Sequence, residues 1–156
     1  MRLLILLMTL LILISCHPDE QIQPTDSNLL IGTWRDTTDA QPQGYYVDEL
    51  VFGPDSVFTA RTSAFGVYSG HPADELSAWF EYEGDYIQNI DSLSFLSHQS
   101  TSWDSFFGGQ PETKIRDKIL FDDCRFAIQM DTLELNYITS PADHPVQTQQ
   151  RYIKAE

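Results

Sequence analysis

The chain has 156 residues, with nine Lys and Arg against 23 Asp and Glu, a formal net charge of −14, and 42% hydrophobic residues. Acidity spread along the whole length repels nucleic acid and anionic headgroups, so no nucleic-acid partner is expected. Two cysteines cannot make a disulfide framework, and the length fits one domain able to bury a core without staples.

Taken in chain order, residues 1–15 come first. Arg2 is followed by an apolar run from Leu3 to Ile14, broken only by Thr9. A basic start, about a dozen apolar residues and a small residue at the exit describe a secretory signal peptide; a membrane span needs about 20 apolar residues. The exit Leu13-Ile14-Ser15-Cys16 resembles the bacterial lipobox. That resemblance implies diacylglycerol on the Cys16 thiol, cleavage before it, acylation of the new amine, and a lipid-anchored place in the cell envelope at the outer membrane. One acyl chain holds only marginally, whereas two or three anchor stably. With Cys16 committed to lipid, Cys124 has no partner in the chain and reads as a small buried hydrophobe. Residues 16–28, polar and with Pro18 and Pro24, read as a flexible tether reaching about 40 Å when extended. Within it Asp19 and Glu20 resemble the acidic surface-export signal of some Gram-negative lineages, or serve as solvated linker.

Residues 29–156 form the domain. No internal repeat or long helical period is present; short runs rich in β-branched and aromatic residues recur between turn residues, the pattern of an all-β sandwich or barrel. Strands are expected at Leu30–Asp36, Tyr45–Phe52, Val57–Ser63, Ala78–Glu83, Ser92–Ser97, Lys114–Phe121, Cys124–Met130, Leu133–Thr139 and Thr148–Lys154. Turns are expected at Gly53–Ser56, Glu83–Asp85 and Asp122-Asp123, with one helical turn at Asp74-Glu75 after His71-Pro72. The strongest pattern is late. Cys124, Phe126, Ile128 and Met130 alternate with Arg125, Ala127 and Gln129, and Leu133, Leu135 and Tyr137 alternate with Glu134, Asn136 and Ile138, so each set shares one face. A tight turn at Asp131-Thr132 sets Met130 opposite Leu133 and Phe126 opposite Tyr137; a longer turn shifts the pairs but keeps apolar facing apolar. Eight or nine strands are enough to close a small antiparallel up-and-down barrel. Long loops remain at Asp36–Gly44, Tyr68–Ser77, His98–Thr113 and Ser140–Gln147.

Gly32-Thr33-Trp34 matches the Gly-x-Trp that opens the first barrel strand of lipocalins. Together with the Phe52–Asp55 turn, Asp131–Leu135 and the closing Arg151-Tyr152-Ile153-Lys154, the domain resembles the small lipocalin-like lipoproteins of Gram-negative bacteria. The resemblance implies that Trp34 plugs the closed end of the barrel and that a basic residue of the last strand, Arg151, lies over its ring.

Sites with possible chemistry are few. Glu81 and Glu83 share a strand face with Asp85 beyond the glycine; paired carboxylates suit acid–base work, but an outward strand face of an acidic protein looks the same. His71, His98 and His144 fall in expected loops without metal-ligand spacing. Catalytic motifs, phosphate loops and calcium loops are absent from the sequence, so neither enzymatic activity nor a cofactor or metal is expected. Aromatics are more suggestive, above all in Ser102–Gly109, which holds Trp103, Phe106 and Phe107. Such a loop either offers a binding surface or folds back as a plug. Two functions follow. One is an apolar cup, lined by Phe58, Tyr82, Phe126, Tyr137 and Trp103, that holds a small hydrophobic ligand. The other is a filled barrel presenting its loops to an envelope protein partner.

Overall fold

A computed structural model describes residues 27–40, 43–68, 70, 72–140 and 144–155. The expected signal peptide, Cys16 and nearly all of the tether lie outside the described residues, as does His71. A single helical turn, α1 (Ser27–Leu30), leads into eight strands: β1 (Gly32–Asp39), β2 (Tyr45–Phe52), β3 (Val57–Phe65), β4 (Leu76–Gln88), β5 (Ser92–Asp104), β6 (Glu112–Gln129), β7 (Thr132–Thr139) and β8 (Val146–Lys154). Each strand pairs antiparallel with the next, and β8 returns to β1 through Trp34↔Lys154 and Arg35↔Ile153. The result is the closed, lipocalin-like up-and-down barrel expected from the sequence.

Period two decides what faces inward. Leu50 and Phe52 on β2, Phe58 on β3, Tyr86 on β4, Leu93 and Phe95 on β5, Phe126 on β6, Leu133 and Leu135 on β7 and Tyr152 on β8 form one buried cluster. Phe95 is its hub, with ring centroids 5.9 Å from Phe52, 5.1 Å from Phe58 and 5.1 Å from Phe121. Burying each such side chain contributes about 1.5–3 kcal/mol. Cys124 sits in this cluster, 2% exposed, as a small hydrophobe.

The two ends differ. Connections at 53–56, 89–91 and 130–131 are short and share one end with α1 and the C-terminus. Those at 40–44, 66–75, 105–111 and 140–145 are longer and ring the other end. At the short-turn end Trp34 is fully buried and its indole Nε1 donates to the Leu30 carbonyl at 2.7 Å. The Lys154 ammonium lies 5.0 Å from the Trp34 ring centroid and donates to the Leu29 carbonyl at 3.2 Å. Two carbonyls at the end of α1, which no further helix turn satisfies, are thus capped by side chains of the barrel. The base is closed by α1, Trp34 and Lys154 together.

Several expectations are corrected. Lys154, not Arg151, is the cation on Trp34. With Tyr152 inward, residue 154 points inward and 151 outward, and Arg151 instead donates to Glu134 at 3.0 Å across the β7–β8 pair. Leu30 belongs to α1 and not to the first strand. The β6–β7 hairpin turns at Met130-Asp131, because Gln129 pairs with Thr132 and Phe126 with Leu135; Met130, at φ 53° and 94% exposed, is a turn residue and not a core residue. Asp122-Asp123 is not a turn. It lies in a bulge of the continuous strand β6, where Phe121 and Asp123 take positive φ and both Leu120 and Phe121 pack onto the core. Gly84 likewise lies within β4. There the register steps from Glu83↔Gln99 to Gly84↔Ser97, leaving His98 as the extra residue of a bulge. A Cβ on Gly84 would stand 2.0 Å from the Leu96 carbonyl oxygen, so the approach of the two strands requires glycine. At 72–75 the chain makes a β-turn, Glu75 N–H to Pro72 O at 3.1 Å, rather than a helical turn.

Candidate functional site

Above the core the barrel opens. The β5 bulge at His98 switches the inward positions from Leu93, Phe95 and Ser97 below to Ser100, Ser102 and Asp104 above, as pairing with β4 requires. The lower half of the wall is therefore aromatic and aliphatic, and the upper half is amphipathic.

The resulting cavity is about 740 Å³. Phe80 and Tyr82 of β4, Leu120 and Phe121 of β6 and Tyr137 of β7 supply its apolar surface. Its polar groups come from Asp48, Thr62, Lys118 and Gln150. A second cleft of about 570 Å³ shares Thr62 and Phe80 with it and continues toward Ala64, Ala78, Ser102 and the loop Phe107–Gln110. The two form one concavity across the mouth, within the size range of small-molecule sites.

The polar groups are linked. Tyr137 Oη donates to Gln150 Oε1 at 3.0 Å, Gln150 Nε2 donates to Asp48 Oδ2 at 3.1 Å, and Thr62 Oγ1 donates to the other Asp48 oxygen. Facing them, Lys118 Nζ donates to Tyr82 Oη at 2.8 Å. Burial, and then the Asp48 carboxylate, push the Tyr137 hydroxyl above its ordinary pKa, so it remains a proton donor at neutral pH. The mouth thus combines fixed hydrogen-bonding groups and one ammonium with aromatic rings, an arrangement suited to holding a molecule with an apolar body and a polar end.

The residues expected to line a cup divide between two layers. Tyr82 and Tyr137 line the cavity. Phe58 and Phe126 are 3% and 6% exposed and belong to the filled core beneath it. Trp103 lies within β5, not in a loop; it pairs across strands with Trp79 on the outer face, donates from Nε1 to the Gly109 carbonyl at 3.1 Å, and with Trp79 borders the second cleft rather than the cavity of about 740 Å³. Arg61 sits 4.5 Å from the Trp79 ring centroid. The aromatic loop does not plug the mouth. Phe106 and Phe107 are 74% and 80% exposed and meet edge-to-face at 5.4 Å on the rim. Tyr68, from the β3–β4 loop, reaches them with its hydroxyl on Asp104 at 2.6 Å. Asp48, Thr62 and Gln150 were not singled out from the sequence; their inward parity, set by Leu50, Phe58 and Tyr152, was the available signal.

Elsewhere, Glu81 faces outward at 3.7 Å from Arg61, and burial raises its pKa. His98 is bracketed by Asp117 at Nδ1 and Asp85 at Nε2, both at 3.0 Å, on the outer surface of the bulge. His144 lies in the β7–β8 loop at the open end, and no group of three potential ligands arranged for a metal occurs among the described residues. Compared with known proteins, the chain matches no family model, and neither a curated protein nor a solved structure is significantly similar to it.

Proposed function

We propose that this chain is a lipid-anchored protein of the bacterial cell envelope, held at the outer membrane through Cys16, whose barrel carries a small, largely hydrophobic molecule in its open mouth. The cavity of about 740 Å³ roofing a filled core is the observation that carries the binding role. Its rings would cover the apolar body, while Lys118, Asp48 and the Tyr137–Gln150 pair would fix a polar end. The test titrates the barrel with an apolar naphthylamine dye and follows uptake by fluorescence and native mass spectrometry. Saturable one-to-one uptake, lost when Thr62→Trp fills the mouth and kept in Phe58→Leu, is the expected result. Absence of uptake, or uptake indifferent to Thr62→Trp, refutes the cup. The anchor is tested separately: Cys16→Ser should move the protein from the membrane fraction to the soluble one or leave the leader uncleaved, and unchanged fractionation refutes it.

The exposed Phe106 and Phe107 favour a second reading, an accessory protein that presents its rim to an envelope protein. Dye uptake unaffected by Phe106→Ser/Phe107→Ser, alongside loss of a co-purifying envelope protein in that variant, would assign the rim to the partner and the cavity to the ligand.

A further inference from the structure

β6 has neighbours on both sides only along its C-terminal half. It pairs with β7 from Asp122↔Ile138 to Gln129↔Thr132. The segment Glu112–Phe121 pairs with β5, from Ser102↔Glu112 to Phe95↔Leu120, and no other strand lies along it among the described residues. Because β7 ends at Thr139, the wall parts above Asp122 and Ile138. Among the described residues, the backbone groups of Glu112–Phe121 directed away from β5 form an open edge. Every residue from Glu112 to Ile119 is exposed, with Ile115 at 78% and Ile119 at 68%.

Natural proteins keep such edges short, break them with proline, cover them, or line them with charges, above all lysine, that repel a like strand. This one is long and free of proline, and it places Lys114, Arg116 and Lys118 at alternate positions in a chain of net charge −14. Period two sets the three cations on one face, with Glu112 at its end 3.5 Å from Lys114 Nζ, and Ile115, Asp117 and Ile119 on the other. The row of cations disfavours a second copy of the chain. In a continuous antiparallel sheet, self-pairing centred on Arg116 sets Lys114 against Lys118 and Arg116 against itself, and like charges directly opposite destabilise a pair.

We propose that this edge is a β-augmentation site for an extended acidic protein segment, one with carboxylates at alternate positions facing Lys114, Arg116 and Lys118 and apolar side chains between them against Ile115 and Ile119. Main-chain hydrogen bonds supply affinity in this mode, and alternate side chains supply selectivity. Lys118 belongs to the mouth as well, where it donates to Tyr82 Oη at 2.8 Å, so charge reversal is confined to Lys114 and Arg116, which do not line that cavity.

The experiment uses the full chain and three capped, dye-labelled peptides: alternating glutamate and valine, the same residues in two blocks, and alternating lysine and valine. Anisotropy should show saturable binding of the alternating acidic peptide, at least about tenfold tighter than the blocked one. Amide exchange should then slow at alternate residues of 112–121. The double variant Lys114→Glu/Arg116→Glu, which alters exposed side chains only, should reverse the preference toward the lysine peptide while core amides stay protected. Equal binding of alternating and blocked peptides, or a preference unchanged by the charge reversal, overturns the proposal. So does self-association that protects 112–121 without peptide, which would assign the edge to a second copy.

Discussion

Replacing Trp34 tests how the base of the barrel is closed. The side chain is fully buried, so Trp34→Ala removes a whole indole from the core and should cost about 3–5 kcal/mol. Trp34→Phe keeps much of the ring contact but deprives the Leu30 carbonyl of its donor at 2.7 Å, and an unsatisfied buried acceptor costs about 1–3 kcal/mol. Lys154→Met retains the aliphatic stem and removes the ammonium 5.0 Å from the indole, a contact worth about 0.5–1 kcal/mol at a partly open site. Urea unfolding of the single and double variants, followed by far-UV circular dichroism, gives the coupling between residues 34 and 154 directly. It should fall at about 0.5–1 kcal/mol, whereas Trp34 and Arg151, which share no partner, should be additive within about 0.5 kcal/mol. A cost below about 1 kcal/mol for Trp34→Ala, or coupling to Arg151 in place of Lys154, would refute this description of the base.

Three further outcomes are expected. Gly84→Ala forces a methyl group against the Leu96 carbonyl and the Ser97 Cα, so it should destabilise the barrel by about 1–3 kcal/mol; urea midpoints check this. Hydrogen bonds donated by the His98 ring to the Asp117 and Asp85 carboxylates hold its pKa above the ordinary 6.5. Its stabilisation is therefore complete below that value and fades as pH rises through the folded pKa, so the melting temperature of His98→Gln should trail wild type in acid and converge with it in alkali. Burial pushes the Cys124 thiol up to about 12, so in the Cys16→Ser background the native protein should resist an aromatic disulfide reagent near neutral pH and react stoichiometrically once unfolded.

The sequence made the barrel legible because its strongest patterns depend on parity alone. Phe126, Ile128, Leu133 and Leu135 alternate under any turn, so their inward placement survived the displacement of the hairpin to Met130-Asp131. Trp34 was legible as the plug for the same reason that Arg151 was misplaced: the Gly-x-Trp motif identifies a role, but only counting from the inward Tyr152 selects Lys154 as the cation. Bulges were not legible. Gly84 and Asp122-Asp123 carry the composition of turns, yet strands on either side hold β4 and β6 continuous through them. A neighbour-enforced irregularity has no signature within the local chain. The mouth was only half legible because its polar members are held by partners distant in sequence: Asp48 and Gln150, the extreme case, are 102 residues apart.

The polarity of the barrel has a mechanical consequence. The described chain enters at Ser27, at the end sealed by Trp34 and Lys154, while the wide rim with Phe106 and Phe107 lies at the opposite end. Under the proposed anchoring through Cys16, tension on the leading chain would bear first on the Leu29 and Leu30 carbonyls and on the indole and ammonium that clasp them, at the end of the barrel opposite its opening.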